Sequence, residues 1–105
     1  RALHYCPNLK RIVIGKGITT ISDILINSSH NVEEIIIKGN ITEIGQSAFA
    51  DTPSLKKLDM NWNNITKIGS KAFYNCPALT GNIKLNSSCS IAEDAFLGCS
   101  LNISK

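Results

Sequence analysis

The chain has 105 residues, of which 43% are hydrophobic and 18% charged, so it is at most one domain and not a disordered tail. A formal net charge of +3, with lysines scattered among acids, gives no basic run for nucleic acid. The longest apolar runs, Ile35-Ile36-Ile37 among them, are strand-sized and far short of the ~18 residues that cross a bilayer, so no membrane insertion is expected. The opening residues Arg1 to Pro7 lack the basic-then-apolar layout of a signal peptide, and the chain begins without Met. It reads as a piece of a longer protein.

One pattern recurs along the chain at a near-constant step. Leu3 leads the first copy, with Ala2, Cys6, Pro7 and Leu9 in their columns, and Ile26 holds the same place in the second. Phe49 holds it in the third, within Ile44-Gly45-Gln46-Ser47-Ala48-Phe49. Phe73 follows in the fourth, within Ile68-Gly69-Ser70-Lys71-Ala72-Phe73, and Phe96 in the fifth. Chance does not give five such copies.

Between the copies lies a second segment. Leu9-x-x-Ile12-x-Ile14, Val32-x-x-Ile35-x-Ile37 and Leu55-x-x-Leu58-x-Met60 share one spacing, and Leu79…Ile83-x-Leu85 carries one extra residue. Period-two alternation of this kind predicts short strands. Ile-x-x-Ile steps follow at Ile18/Ile21, Ile41/Ile44 and Ile65/Ile68, with Cys89 in the first Ile place before Ile91.

Strands this short bury nothing alone, but stacked repeats set them side by side as a parallel ladder ~4.8 Å apart. The expected fold is a repeat solenoid of the α/β type, with parallel strands on one face and helical or 3₁₀ turns on the other. Leu3, Ile26, Phe49, Phe73 and Phe96 form its spine, each worth ~1.5–3 kcal/mol when fully buried. Residues 1–105 would hold about five units of ~23–24 residues, with boundaries near 21, 44, 68 and 91, truncated at both ends. Neither end shows a polar cap, so apolar end faces and end-to-end self-association are expected.

These residues resemble the BspA-like, or Treponema-type, leucine-rich repeats, whose unit is a strand followed by Ile-Gly-x-x-Ala-Phe-x-x-Cys-x-x-Leu. The resemblance covers essentially the whole chain and is loosest in the second unit, where Leu25-Ile26 replaces Ala-Phe and Ser29 replaces Cys. Leu55-x-x-Leu58-x-Met60-x-x-Asn63-x-Ile65 also fits the general leucine-rich pattern; the other units lack that Asn, so no continuous asparagine ladder is expected. Such repeats occur on surface or secreted proteins, several of which look like adhesins for host matrix proteins. The resemblance therefore implies a cell-surface or secreted protein-binding module whose partner is a protein of the host or its extracellular matrix.

Cys6, Cys76 and Cys99 share a column with Ser29 and Thr52, which fits a small buried packing position. Cys76 and Cys99 fall on adjacent rungs, but side chains in one column point the same way, so free thiols are expected. No C-x₂₋₄-C pair is present, which leaves no zinc spacing. His4 and His30 sit in different columns with no nucleophile-base arrangement around them, and Glu33-Glu34 and Glu93-Asp94 read as solvated charge. Gly15-Lys16-Gly17 lacks the Lys-Ser/Thr of a phosphate loop. No catalytic residue, metal site or cofactor is expected.

The strand face carries more information. Arg11, Glu34 and Lys57 align in one column and Lys10, Glu33 and Lys56 in the next, both reading plus, minus, plus. Asp59 beside Lys84 and Glu43 beside Lys67 extend the pattern, which would register the repeats. Trp62 falls just past the third strand, at a place expected to point outward. It either anchors a partner, with Asn61, Asn63, Asp59, Lys84, Ile36 and Val13 around it, or folds down over its own loop. Asn-x-Ser/Thr sequons stand at Asn27, Asn40, Asn64, Asn86 and Asn102.

The leading reading is a non-enzymatic recognition solenoid whose strand face meets a protein. A shallow repeat face suits wide contact rather than enclosure of a small substrate. An intracellular leucine-rich repeat scaffold is the alternative, which free thiols suit. A third reading places a catalytic domain elsewhere in a longer chain.

Overall fold

The computed structural model of the protein describes residues 10–21 and 31–105. The Leu3 and Ile26 places of the spine, Cys6, Ser29, His4, His30 and Asn27 lie outside the described residues. Among those described, nine short strands follow one another: β1 (Arg11–Ile14), β2 (Thr20–Ile21), β3 (Glu34–Ile37), β4 (Glu43–Ile44), β5 (Lys57–Asp59), β6 (Lys67–Ile68), β7 (Thr80–Lys84), β8 (Ser90–Ile91) and β9 (Ser100–Ser104).

All pairing among them is parallel, between equivalent segments of successive coils. The result is a solenoid of about four turns. The Ile-x-Ile alternation turns Ile12, Ile14, Ile35 and Ile37 inward, while Arg11 and Val13 stay exposed. The Ile-x-x-Ile steps build a second ladder, β2-β4-β6-β8, that runs unbroken through every described coil. Cys89 does replace an isoleucine there, buried like Ile41 and Ile65.

The strand wall is not continuous. β5 pairs with β3 and β7 with β9, but β5 and β7 do not pair with each other. The extra residue between Leu79 and Ile83 puts the fourth strand out of step with the third. Asp59 and Lys84 are therefore not cross-strand neighbours, contrary to the expectation from the column alignment.

The spine forms as expected where it is described. Phe49 and Phe73 stack with ring centroids 5.0 Å apart and planes 11° from parallel. Phe73 and Phe96 stack at 5.0 Å and 4°. Phe49 and Phe73 are fully buried, and Phe96 is half-buried on the last coil.

The return wall corrects one expectation: the described residues contain no α- or 3₁₀-helix. Each Ala-Phe segment is a pair of interlocked turns. Ala48 N–H donates to Gly45 O at 3.3 Å and Ala50 N–H to Ser47 O at 3.2 Å. The alternate donors leave the coil: Ser47, Phe49 and Asp51 N–H reach Ser70, Ala72 and Tyr74 O at 3.0, 2.8 and 2.9 Å. Left-handed residues make this alternation, with φ of 57° at Ser47 and Asp51, 55° at Lys71, 59° at Asn75 and 78° at Gly98. Each one interrupts a helix, and at Ser47, Asp51 and Asn75 the residue's own N–H runs along the stack. Every second amide binds the neighbouring coil instead of its own.

The coils approach closely enough to demand glycine at two points. A Cβ on Gly39 would run into the Ile18 carbonyl oxygen, and one on Gly69 would stand 2.8 Å from Gln46 N.

Phe73 is held between two rings and Phe96 stacks on one, so truncation should cost them differently. Phe73→Ala is expected to lose about 3–5 kcal/mol in urea denaturation. Phe96→Ala should lose clearly less, and equal losses would contradict the ring stack as the source of cohesion.

Candidate interaction surface

Outward positions of β1, β3 and β5 make one flat wall. The register places Arg11 against Glu34 and Glu34 against Lys57, and it lines up Val13, Ile36 and Asp59 in the next outward column. Glu34 is shared between two cations: its carboxylate lies 3.2 Å from Arg11 Nε and 3.6 Å from Lys57 Nζ. The expected plus, minus, plus column is thus formed. Glu43 and Lys67 are register neighbours on the second ladder, though among the described residues only the two Glu34 contacts close to ion pairs.

Val13, Ile36 and Asp59 are brought together, while Lys84 stands beyond the break in the sheet. Asn61 is exposed, and its side-chain oxygen accepts the Asn63 N–H at 2.9 Å. Trp62 does not point outward. Leu58, Met60 and Trp62 share one parity, so the alternation carries the indole inward, half-buried, onto Phe73 at 5.8 Å and 37°. The signal was legible in that spacing. Lys38 belongs to the same wall, two residues past Ile36 in the outward alternation, and sequence reading missed it.

The sequons have a structural partner in the coil below. Thr42 Oγ1 donates to Thr19 O at 3.4 Å and Thr66 Oγ1 to Thr42 O at 3.1 Å, while Asn64 Nδ2 donates to Asn40 Oδ1 at 2.6 Å. Asn86 Nδ2 likewise reaches Asn63 O. Asn40, Asn64, Asn86 and Asn102 are all exposed.

Cys76, Cys89 and Cys99 are free. Cys76 Sγ and Thr52 Oγ1 are 3.3 Å apart and each lies 2.9 Å from Phe49 O, which occupies the buried Cys/Thr column completely. Burial pushes the Cys76 thiol up from 9.0 to about 11, against a smaller lowering by the Thr52 hydrogen bond. Burial likewise raises Cys89 and Cys99. None of them is tuned toward thiolate chemistry.

Among the described residues there is no pocket and no group of three His, Cys, Asp or Glu side chains able to hold a metal. No helix there is long and apolar enough to cross a membrane. What the arrangement offers is an open wall of charged and aliphatic side chains on a stacked core.

A family model, the BspA type leucine rich repeat region, matches residues 1–104 in six copies. The chain belongs to the BspA-type leucine-rich repeat family. No curated protein and no solved structure matches it. Leucine-rich repeats of this kind are protein-interaction modules and typically carry no catalytic function.

Three outcomes check the chemistry of this BspA-type chain. Its Cys76 thiol should resist alkylation at pH 8 in the folded state and react on unfolding. Its folded pKa lies above the ordinary value, so the stability it contributes is complete below pH 9 and is lost as pH rises toward about 11. Urea melts across that interval should show the decline, and a flat profile would contradict the burial. Glu34→Gln should cost at most ~1 kcal/mol, because both cations that share the carboxylate are exposed to solvent, and the difference should shrink at high salt.

Proposed function

We propose that the chain is the protein-binding module of a surface or secreted adhesin-like protein, and that its strand wall meets a host or matrix protein. The observation that carries this reading is the outward column Val13, Ile36 and Asp59, held beside the Arg11–Glu34–Lys57 column by parallel pairing. Val13 is 50% exposed although it lies in a strand, and Ile36 next to it is partly exposed. Aliphatic side chains ringed by charge on a rigid, shallow surface suit a protein partner better than a small ligand. Trp62 packs on Phe73 of the spine. The second reading, an intracellular scaffold built on the same face, draws on the three free thiols, which persist most readily in a reducing compartment.

The test is retention of the 105-residue chain by a panel of purified extracellular matrix proteins. Wild type should be retained, and Val13→Asp with Ile36→Asp should abolish retention. Leu97→Asp, at a 59%-exposed position on the return wall, should leave it unchanged. Retention by none of the panel, or equal loss in all variants, would overturn the adhesin reading.

A further inference from the structure

Lysines that are scattered in the sequence gather when the coils stack. Lys10, Arg11, Lys38, Lys56, Lys57 and Lys84 all lie exposed at or beside the strand wall, against three acids, Glu33, Glu34 and Asp59. Among the described residues the return wall has the opposite balance: Asp51, Glu93 and Asp94 face Lys71 alone, whose ammonium sits 5.3 Å over the Tyr74 ring. Asp94 is already engaged there, accepting Ser70 Oγ at 3.0 Å and Lys71 N–H at 3.3 Å.

The wall's acids do not neutralise its cations. Glu34 is divided between Arg11 and Lys57, so each plus, minus, plus column keeps one positive charge in excess. Glu33 lies between Lys10 and Lys56 in the stack, tied to both by backbone hydrogen bonds of 2.8 and 2.9 Å, and its carboxylate closes no ion pair with either. Lys38, Lys56 and Lys84 close no ion pair among the described residues. Neighbouring strands are ~4.8 Å apart, inside the ~8 Å screening length of physiological salt, so these cations act on a partner together.

We propose that the strand wall takes an acidic, partly apolar segment of a protein partner. This rests on the wall being the binding face and adds the partner's chemistry. Carboxylates would complete the half-shared cation columns at Arg11 and Lys57, and aliphatic side chains would cover Val13 and Ile36. A sulfated polysaccharide leaves those two side chains without an apolar contact. A nucleic acid finds no aromatic platform among the described residues of this wall, because the Trp62 ring is turned onto Phe73. Charge of this kind mainly sets the rate of encounter and the choice of partner.

The probe is a fluorescent peptide of alternating glutamate and leucine, titrated with the 105-residue chain. A lysine–leucine peptide and heparin are run in parallel. The Glu-Leu peptide should bind, weaken steadily with added salt, and lose about tenfold or more in affinity to Lys56→Glu with Lys84→Glu. Neither lysine closes an ion pair among the described residues, and unchanged thermal melting keeps that variant interpretable. Lys67→Glu, on the second ladder, should bind as wild type does. No binding of the Glu-Leu peptide, equal binding of the Lys-Leu peptide, or indifference to the double reversal would overturn the proposal. Heparin bound in place of the peptide would overturn it in favour of a polysaccharide. Matrix-protein retention that depends on Val13 and Ile36 but not on Lys56 and Lys84 would leave the binding face standing and remove only the acidic partner.

Discussion

The stack of Phe49, Phe73 and Phe96 sets the pitch that every other contact has to match. Its rings lie 5.0 Å apart and nearly parallel, close to the ~4.8 Å between paired strands. Because both walls of a coil share one rise, ring stacking and backbone pairing reinforce each other. The polar contacts fall into the same step: Thr42 to Thr19, Thr66 to Thr42 and Asn64 to Asn40 each join one coil to the next. A unit cut free of its neighbours would lose all of these at once. Cohesion therefore belongs to the junction between coils and not to any coil by itself.

The break between β5 and β7 shows which contact is expendable. There the first-strand pairing stops, yet β6 still pairs with β8 and Phe73 still stacks on Phe96. One added residue in a strand shifts its register, but a ring buried on the far wall is anchored by its own turn. The return wall contributes its own backbone bonds, such as Phe49 N–H to Ala72 O at 2.8 Å and Phe73 N–H to Ala95 O at 2.7 Å. Those bonds run from the earlier coil to the later one. On the strand side both directions occur: Thr66 N–H to Thr42 O at 2.8 Å runs from the later coil to the earlier, and Leu85 N–H to Ser104 O at 2.8 Å from the earlier to the later.

Stacking also sorts the surface. The inward parity of each strand is spent on the core, and the outward parity, with the residue leading into each strand, carries the charge. A solenoid of this kind keeps its interior between coils, and the described residues line no pocket, so recognition has to use what lies on the walls. The free thiols follow the same logic. Cys76 is held by Thr52 and Phe49 O in a buried column, and a thiol kept neutral there serves packing.

Much of this was legible in the residues themselves. The regular spacing of Phe49, Phe73 and Phe96 determined the solenoid, its parallel strands and its spine, because apolar periodicity is local and survives without knowledge of neighbours. The Arg11, Glu34, Lys57 column followed from the same alignment. The helical return wall did not hold, although Asp51, Asn75 and Gly98 occupy one column and are residue types that tolerate a left-handed backbone. Trp62 was misplaced by one step of parity. Tertiary structure alone decided where the strand wall breaks, that alternate amides leave their coil for the next, and that lysines distant in sequence share one face. Each of these depends on the distance between coils, which is a sum over many weak contacts and is written in no single segment.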